Sequence, residues 1–362
     1  MSDVELRGVT KSFPDGHGGE TAVLKGVDIV APSGKFVVLL GPSGCGKSTS
    51  LRIIAGLESA TGGDVLIGGE RVNDVPAARR RIAMVFQNYA LYPHLTVLEN
   101  IVFGLRVRKV SKSERTRRAR EAAATVGLEQ YLQRKPSQLS GGQRQRAALA
   151  RALVSDAEVV LMDEPLSNLD AKLRHQMRIE LRALQQKLGL TVIYVTHDQV
   201  EAMTMADHVV VMRDGEVAQA ATPVDLYTDP ADTEVASFIG SPPMNLLPVR
   251  PAGEGLDVPG GRSPWPVRSG HDGPLTLGVR PESLAVGDAG PLVLAGTVAS
   301  SEILGAETLV TLRPSAGGDV VARLPGIVRV GTGDQITLST QPSDLRFFDA
   351  ETGHALTNPA RP

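Results

Sequence analysis

Over its first 240 residues the chain alternates short apolar runs, rich in β-branched residues, with longer stretches of helical periodicity. The runs 36–40, 82–86, 159–162, 191–195 and 208–212 are almost continuously apolar. That pattern predicts strands buried on both faces, and so a parallel sheet flanked by helices. Between 91 and 153 the period becomes helical, most clearly over 113–126 and 142–153, which predicts an α-rich subdomain inserted into the sheet domain. Residues 4–30 and 63–72 read as antiparallel strands. After residue 239 the texture changes to Ser241-Pro242-Pro243 and a Gly/Pro-rich stretch, 251–274. Short strands follow at 275–279, 292–298, 308–312 and 335–339, which predicts a boundary at 240/241 and a small β-barrel or sandwich beyond it. No internal repeat or coiled-coil period is present.

Composition narrows the class. The 38 Lys and Arg nearly balance the 40 Asp and Glu, for a net charge of −2, and 42% of the 362 residues are apolar. Neither a disordered chain nor a strongly basic nucleic-acid binder has this balance. The single cysteine, Cys45, excludes an intrachain disulfide framework. The first residues lack the blocks of a secretory signal, and no apolar run approaches the roughly 20 residues of a membrane helix. The expected place of action is therefore the cytoplasm, with any membrane role exercised from outside the bilayer.

The run Gly41, Pro42, Ser43, Gly44, Cys45, Gly46, Lys47, Ser48 fits G-x-x-x-x-G-K-[ST]. It stands after an apolar strand and before a helical run. The glycines let successive amides face phosphate oxygens, Lys47 adds a cation, and the helix contributes its positive end. Ser48 is placed to hold Mg²⁺ through its hydroxyl. Cys45 reads as a small residue whose backbone does the binding, since no companion His or Cys marks a reactive thiol. The run 159–162 ends in Asp163 and Glu164, and ligands of such sheets gather at strand carboxyl ends. Asp163 is expected in the Mg²⁺ shell and Glu164 as the group polarising the attacking water. His197, just past the run 191–195, is expected near the γ-phosphate. Gln87, at the same end of its own strand, is a weaker candidate for metal or water. Leu139, Ser140, Gly141, Gly142 and Gln143 form the most discriminating string: a capping serine, two glycines and a helix start make a second anion-facing surface.

With these residues in place, the chain resembles the ATP-binding subunits of ATP-binding cassette importers, and most closely the maltose-type carbohydrate branch. The resemblance covers nearly the whole length. The longer strings 134–138, 162–171, 238–242 and 277–282 place it in the sugar branch. It implies an α/β P-loop cassette in residues 1–240, with a RecA-like parallel sheet, an antiparallel β subdomain and the α-helical subdomain. An all-β oligonucleotide-binding-type (TOBE-like) regulatory domain is implied in 241–362. Carried over by motif, Phe13 stacks on adenine, the loop through Thr49 is Walker A, Gln87 is the Q-loop glutamine, Asp163 and Glu164 are Walker B, Asp170 lies in the D-loop and His197 is the switch. The implied ligands are ATP and Mg²⁺. The implied partners are a second copy of the chain, whose Ser140 and Gly142 close on this copy's ATP, and two membrane permease subunits docking near 87–96. An extracytoplasmic substrate-binding protein and a regulatory protein on the C-terminal domain complete the implied system, at the cytoplasmic face of the membrane. The chain departs from the pattern in its glycine-rich turn 14–19, in Ser50 where an apolar residue is usual, and in 251–274.

Other readings are an importer ATPase for sn-glycerol 3-phosphate, a polyamine or a metal complex, or a soluble cassette ATPase acting on nucleic acid or the ribosome. The second lacks its usual marks here: fused cassettes, long coiled coils or zinc cysteines. The basic run 106–120 reads as a solvated face of the helical subdomain, because no aromatic residues interleave it.

Overall fold

Buried strands and capped helices follow one another through the computed structural model, which describes residues 2–15, 19–252, 255–258, 261–263 and 273–357. The chain divides into two units, Met1–Val224 and Asp225–Pro362. In the first, the order is β1 (Val4–Pro14), β2 (Glu20–Ala31), β3 (Phe36–Leu40), α1 (Lys47–Ala55), β4 (Gly62–Ile67), β5 (Glu70–Arg71) and β6 (Ile82–Val85). Helices α2 (Val97–Val107), α3 (Lys112–Thr125) and α4 (Gly141–Leu153) come next. Then come β7 (Val159–Asp163), α5 (Ala171–Leu188), β8 (Thr191–Thr196), α6 (Gln199–Met205), β9 (His208–Arg213) and β10 (Glu216–Ala221).

Among the described residues, six strands form a sheet in the order β10-β9-β3-β8-β7-β6, parallel except for β10. Every residue of β3, β7 and β8 is buried, as expected where layers cover both faces. A second, antiparallel sheet runs β2-β1-β4-β5. Its inward residues Leu6, Val9 and Leu24 share a core with Val37, Leu39, Leu161, Ile193 and Met212 of the parallel sheet and Ile54 of α1. The helical subdomain emerges between β6 and β7, as the period change at 91–153 predicts. Helix α2 is fixed by a capping box between Thr96 and Glu99. Helix α5 is capped by Asp170 and stopped by Gly189 at φ 65°.

The second unit holds α7 (Pro223–Thr228), which begins at the border, and α8 (Thr233–Phe238). The strands β11 (Asn245–Ala252), β12 (Gly255–Val258), β13 (Gly261–Ser263), β14 (Leu275–Val279) and β15 (Ala285–Val286) come next, then β16 (Leu292–Ile303), β17 (Glu307–Pro314), β18 (Val320–Pro325), β19 (Gln335–Thr340), β20 (Leu345–Asp349) and β21 (Ala355–Leu356). The long strand β16 pairs with β19 along one edge and with β13 and then β17 along the other. A register shift at Val298/Ser300 bends it, which curls the antiparallel sheet into a near-closed barrel around Leu247, Leu277, Leu294, Leu312, Leu338 and Phe347.

The division at 224/225 lies earlier than the 240/241 read from texture, for a physical reason. Arg280 donates to the carbonyls of Tyr227, Ala236 and Ile239, and Ala236 packs with Met244 and Phe348. The two short helices are thus tied to the barrel's own residues. Two of the barrel strands, β12 and β13, fall in the Gly/Pro-rich stretch 251–274, where no strand was expected. Parts of that stretch, and residues 16–18 of the glycine-rich turn, lie outside the described residues.

Candidate nucleotide-binding and hydrolysis site

The loop 41–46 leaves the buried end of β3 and enters α1 at Gly46. Gly44 and Gly46 take φ of 85° and 101°, conformations that side chains other than glycine rarely adopt. A Cβ on Gly41 would come within 2.2 Å of the Met212 carbonyl oxygen on β9, so the loop sits against the sheet as closely as backbone allows. Pro42, Ser43 and Gly44 are exposed at the tip, while the Cys45 side chain turns into the core. The Lys47 ammonium donates to the carbonyls of Gly41 (2.8 Å) and Pro42 (2.7 Å) and lies 3.7 Å from Cys45 Sγ. It therefore caps the inside of the loop, where a phosphate would offer it stronger, charged acceptors. Ser50, the departure from an apolar residue, is fully buried and satisfied by donating to the Gly46 carbonyl at 3.1 Å. Thr49 is half-buried on α1.

At the end of β7, two strands across the sheet from β3, Asp163 Oδ1 accepts from Ser48 Oγ at 2.8 Å. Glu164 follows with φ 42°, a left-handed backbone held by its own N–H donating to Val195 O. Its carboxylate receives Gln87 Nε2 at 3.3 Å and faces His197 Nδ1 at 3.2 Å. Three strands, β6, β7 and β8, thus deliver Gln87, Glu164 and His197 to one point, although the residues are far apart in sequence. Asp170 stands aside from this group: its carboxylate caps α5 by accepting from Leu173 N at 2.9 Å. Phe13 is half-buried on β1, with the Lys11 ammonium 4.7 Å from its ring centre.

Ser140 caps α4 by accepting from Gln143 N at 3.3 Å, and Gln143 Oε1 accepts from Ser140 N at 3.0 Å. The glycines between them have a packing reason as well: a Cβ on Gly141 would lie 2.8 Å from Leu169 Cδ2, and one on Gly142 3.0 Å from Leu173 Cδ1. Leu139 is buried beneath this start. Ser140 is exposed, so the cap faces outward.

Sequence reasoning missed the residues that brace these loops. Asn168 Nδ2 donates to Gln87 O at 3.0 Å. Arg151 on α4 donates to the carbonyls of Tyr89 and Ala90, consecutive residues at φ 62° and 46°. Glu201, 3% exposed, accepts from Tyr194 and Thr196 at 2.7 Å each, on the strand that leads to His197. Burial pushes its carboxyl above the usual range, against those two hydrogen bonds. All three are polar side chains, and nothing in their spacing separates them from solvated positions.

Comparison with known proteins agrees with this architecture. Residues 24–167 match the family model described as "ABC transporter", and residues 277–348 match the "TOBE domain" model. The sn-glycerol-3-phosphate import ATP-binding protein UgpC of Cereibacter sphaeroides is 50% identical over 98% of this chain and 100% of its own length. The alpha-glucoside transport ATP-binding protein AglK of Rhizobium meliloti is 47% identical over 96% of this chain and 98% of its own. Among solved structures, the dimeric post-hydrolysis state of the ATP-binding cassette MJ0796 bound to ADP and Pi superposes with a TM-score of 0.55 at 38% identity. It covers 61% of this chain and 98% of that one.

Proposed function

This chain belongs to the ABC transporter family, among its import ATP-binding subunits, and from that premise we propose how its residues drive uptake. It is the ATPase of an importer, converting ATP and water to ADP and phosphate. The loop Gly41–Thr49 cradles the phosphates, with Lys47 exchanging its two carbonyl partners for phosphate oxygens, and Phe13 stacks on the base. Ser48 and Asp163 suit a small hard cation, because they place a hydroxyl and a carboxylate together and leave the other positions to phosphate and water. Ser48 and Asp163, with Gln87 beside them, would hold Mg²⁺, which would supply charge neutralisation to the phosphates. Glu164 accepts a proton from the attacking water. His197 holds Glu164 and reaches the γ-phosphate.

The second half of the site comes from a second copy of the chain. Leu139, Ser140, Gly141, Gly142 and Gln143 of that copy bring a helix start and outward-facing serine to the phosphates, and Asp170 shapes the turn beside them. Closure of such a homodimer moves two permease subunits docked near 87–96, and an extracytoplasmic binding protein supplies the cargo. No helix among the described residues is long and apolar enough to cross a membrane, which suits a subunit seated on permeases at the cytoplasmic face. The barrel unit serves regulation and dimer contact. The cargo is a carbohydrate; similarity to UgpC favours sn-glycerol 3-phosphate as the second reading.

The observation that carries this is the convergence of Gln87 and His197 on Glu164, beside the Ser48–Asp163 pair. Glu164→Gln is expected to retain ATP, to lower turnover of the assembled transporter about a hundredfold or more, and to give an ATP-dependent dimer by size-exclusion chromatography. Near wild-type turnover would remove Glu164 from the role of base. Titration of the partner binding protein with an oligosaccharide and with sn-glycerol 3-phosphate separates the two cargoes.

A further inference from the structure

Immediately after Glu164 the chain makes the turn 165–170 and enters α5, whose first turn carries Arg174. Its guanidinium is shared between two loops. On one side Nε donates to Leu166 O (3.4 Å), and Nη2 donates to Ser167 O (3.5 Å) and Leu169 O (3.0 Å). On the other, Nη1 lies 3.7 Å from Asp198 Oδ2, an ion pair rather than a hydrogen bond. Asp198 is next to His197, and its other oxygen caps α6 by accepting from Val200 N and Glu201 N. Within the turn, Ser167 Oγ donates to Glu164 O at 2.9 Å, and Asn168 reaches Gln87 O. One side chain therefore joins the loop that starts at Glu164 to the loop that carries His197.

We propose that Arg174 is a positioning residue for hydrolysis: it clasps the turn 165–170 to Asp198, so that Glu164 and His197 keep their 3.2 Å register while the dimer opens and closes. The proposal rests on the reading of Glu164 and His197 as the hydrolytic pair. A planar fork with donors on three nitrogens serves two loops at once; a lysine ammonium presents its donors from a single point and cannot span them. Arg174 touches neither the phosphate cradle nor the Ser48–Asp163 pair, so the clasp acts on turnover and not on nucleotide capture. Turnover is the sensitive quantity, because displacing a reacting group by about 1 Å costs on the order of a hundredfold in rate.

The test uses the full-length chain at dimer-forming concentration, with turnover measured beside the affinity for a fluorescent trinitrophenyl-ATP. Arg174→Ala is expected to lower kcat at least about tenfold while KM and analogue affinity stay within about twofold. Arg174→Lys is expected to recover less than half of the loss, and it carries the test alone if the alanine variant does not fold. Asp198→Asn keeps a capping side chain but loses the charge; in the Arg174→Ala background it is expected to add no further loss. Turnover within twofold of wild type in Arg174→Ala overturns the clasp. So does a fall in turnover matched by equal losses of analogue affinity and melting temperature, which marks a merely structural residue, and so does additivity of the two substitutions. Glu164→Gln run in parallel separates the failures: full turnover there overturns the hydrolytic pair, whereas its loss with an intact Arg174→Ala overturns only the clasp.

Discussion

Glu201 shows how one buried side chain can make the stability of the fold depend on pH. The carboxylate is buried and takes two hydroxyl hydrogen bonds from β8, yet burial still raises its pKa above the ordinary 4.5. A raised carboxyl pKa means that the folded chain holds the proton more tightly than the unfolded chain does. Its contribution is therefore complete below pH 4.5 and is lost as pH rises from there through the folded pKa. Gln at this position can still accept from Tyr194 and Thr196 without ionising. Glu201→Gln is expected to melt close to wild type at pH 4 and above it at pH 7. Calorimetry across pH 4–8 checks this, and a constant difference between the two proteins would show that Glu201 does not titrate in that range. At this scale the cradle, Asp163, Glu164 and His197 were legible in the sequence, because each stands at the end of an apolar run. Glu201, Arg151 and Arg174 were not, because a buried polar partner on an amphipathic helix has the same sequence appearance as a solvated one.

Among the elements, α4 carries two requirements in its first turn. Ser140 closes a capping box with Gln143, and the glycines between them lie against Leu169 and Leu173. The stability role and the proposed role toward a partner's ATP separate under substitution. Ser140→Ala removes the cap and is expected to cost about 1 kcal/mol as well as activity. Ser140→Asp keeps a good cap, and by analogy with other caps it is expected to hold stability within about 0.5 kcal/mol. Its negative charge would meet the phosphates of the other copy, so turnover is expected to fall about a hundredfold. Thermal melts beside steady-state ATPase assays distinguish the two effects; an active Ser140→Asp variant would place this helix start away from phosphate. The basic run read as a solvated face also resolves at this level. Arg117 and Arg118 on α3 form ion pairs with Glu114, Glu121 and Asp156, and only the helical register brings the two glutamates into reach.

For the whole molecule, the parallel sheet and the inserted helical subdomain followed from period, whereas the division at 224/225 did not. Residues 225–240 continue the alternation of strands and helices that precedes them, and what assigns them elsewhere is a distant partner. Arg280, 6% exposed, lies over the Tyr227 ring at 4.0 Å and donates to three carbonyls of that segment. A chain ending at 240 keeps Ala236 and Ile239 but loses Arg280, Met244 and Phe348, and so exposes apolar surface built to meet them. A chain ending at 224 carries none of that segment. Both truncations retain the cradle, Glu164 and His197, and both are expected to bind trinitrophenyl-ATP. The longer fragment is expected to bind more of a hydrophobic dye and to aggregate sooner on warming, and the shorter to behave as the better-folded cassette. The opposite ranking would mean that residues 225–240 fold with the cassette, and the border would return to 240/241.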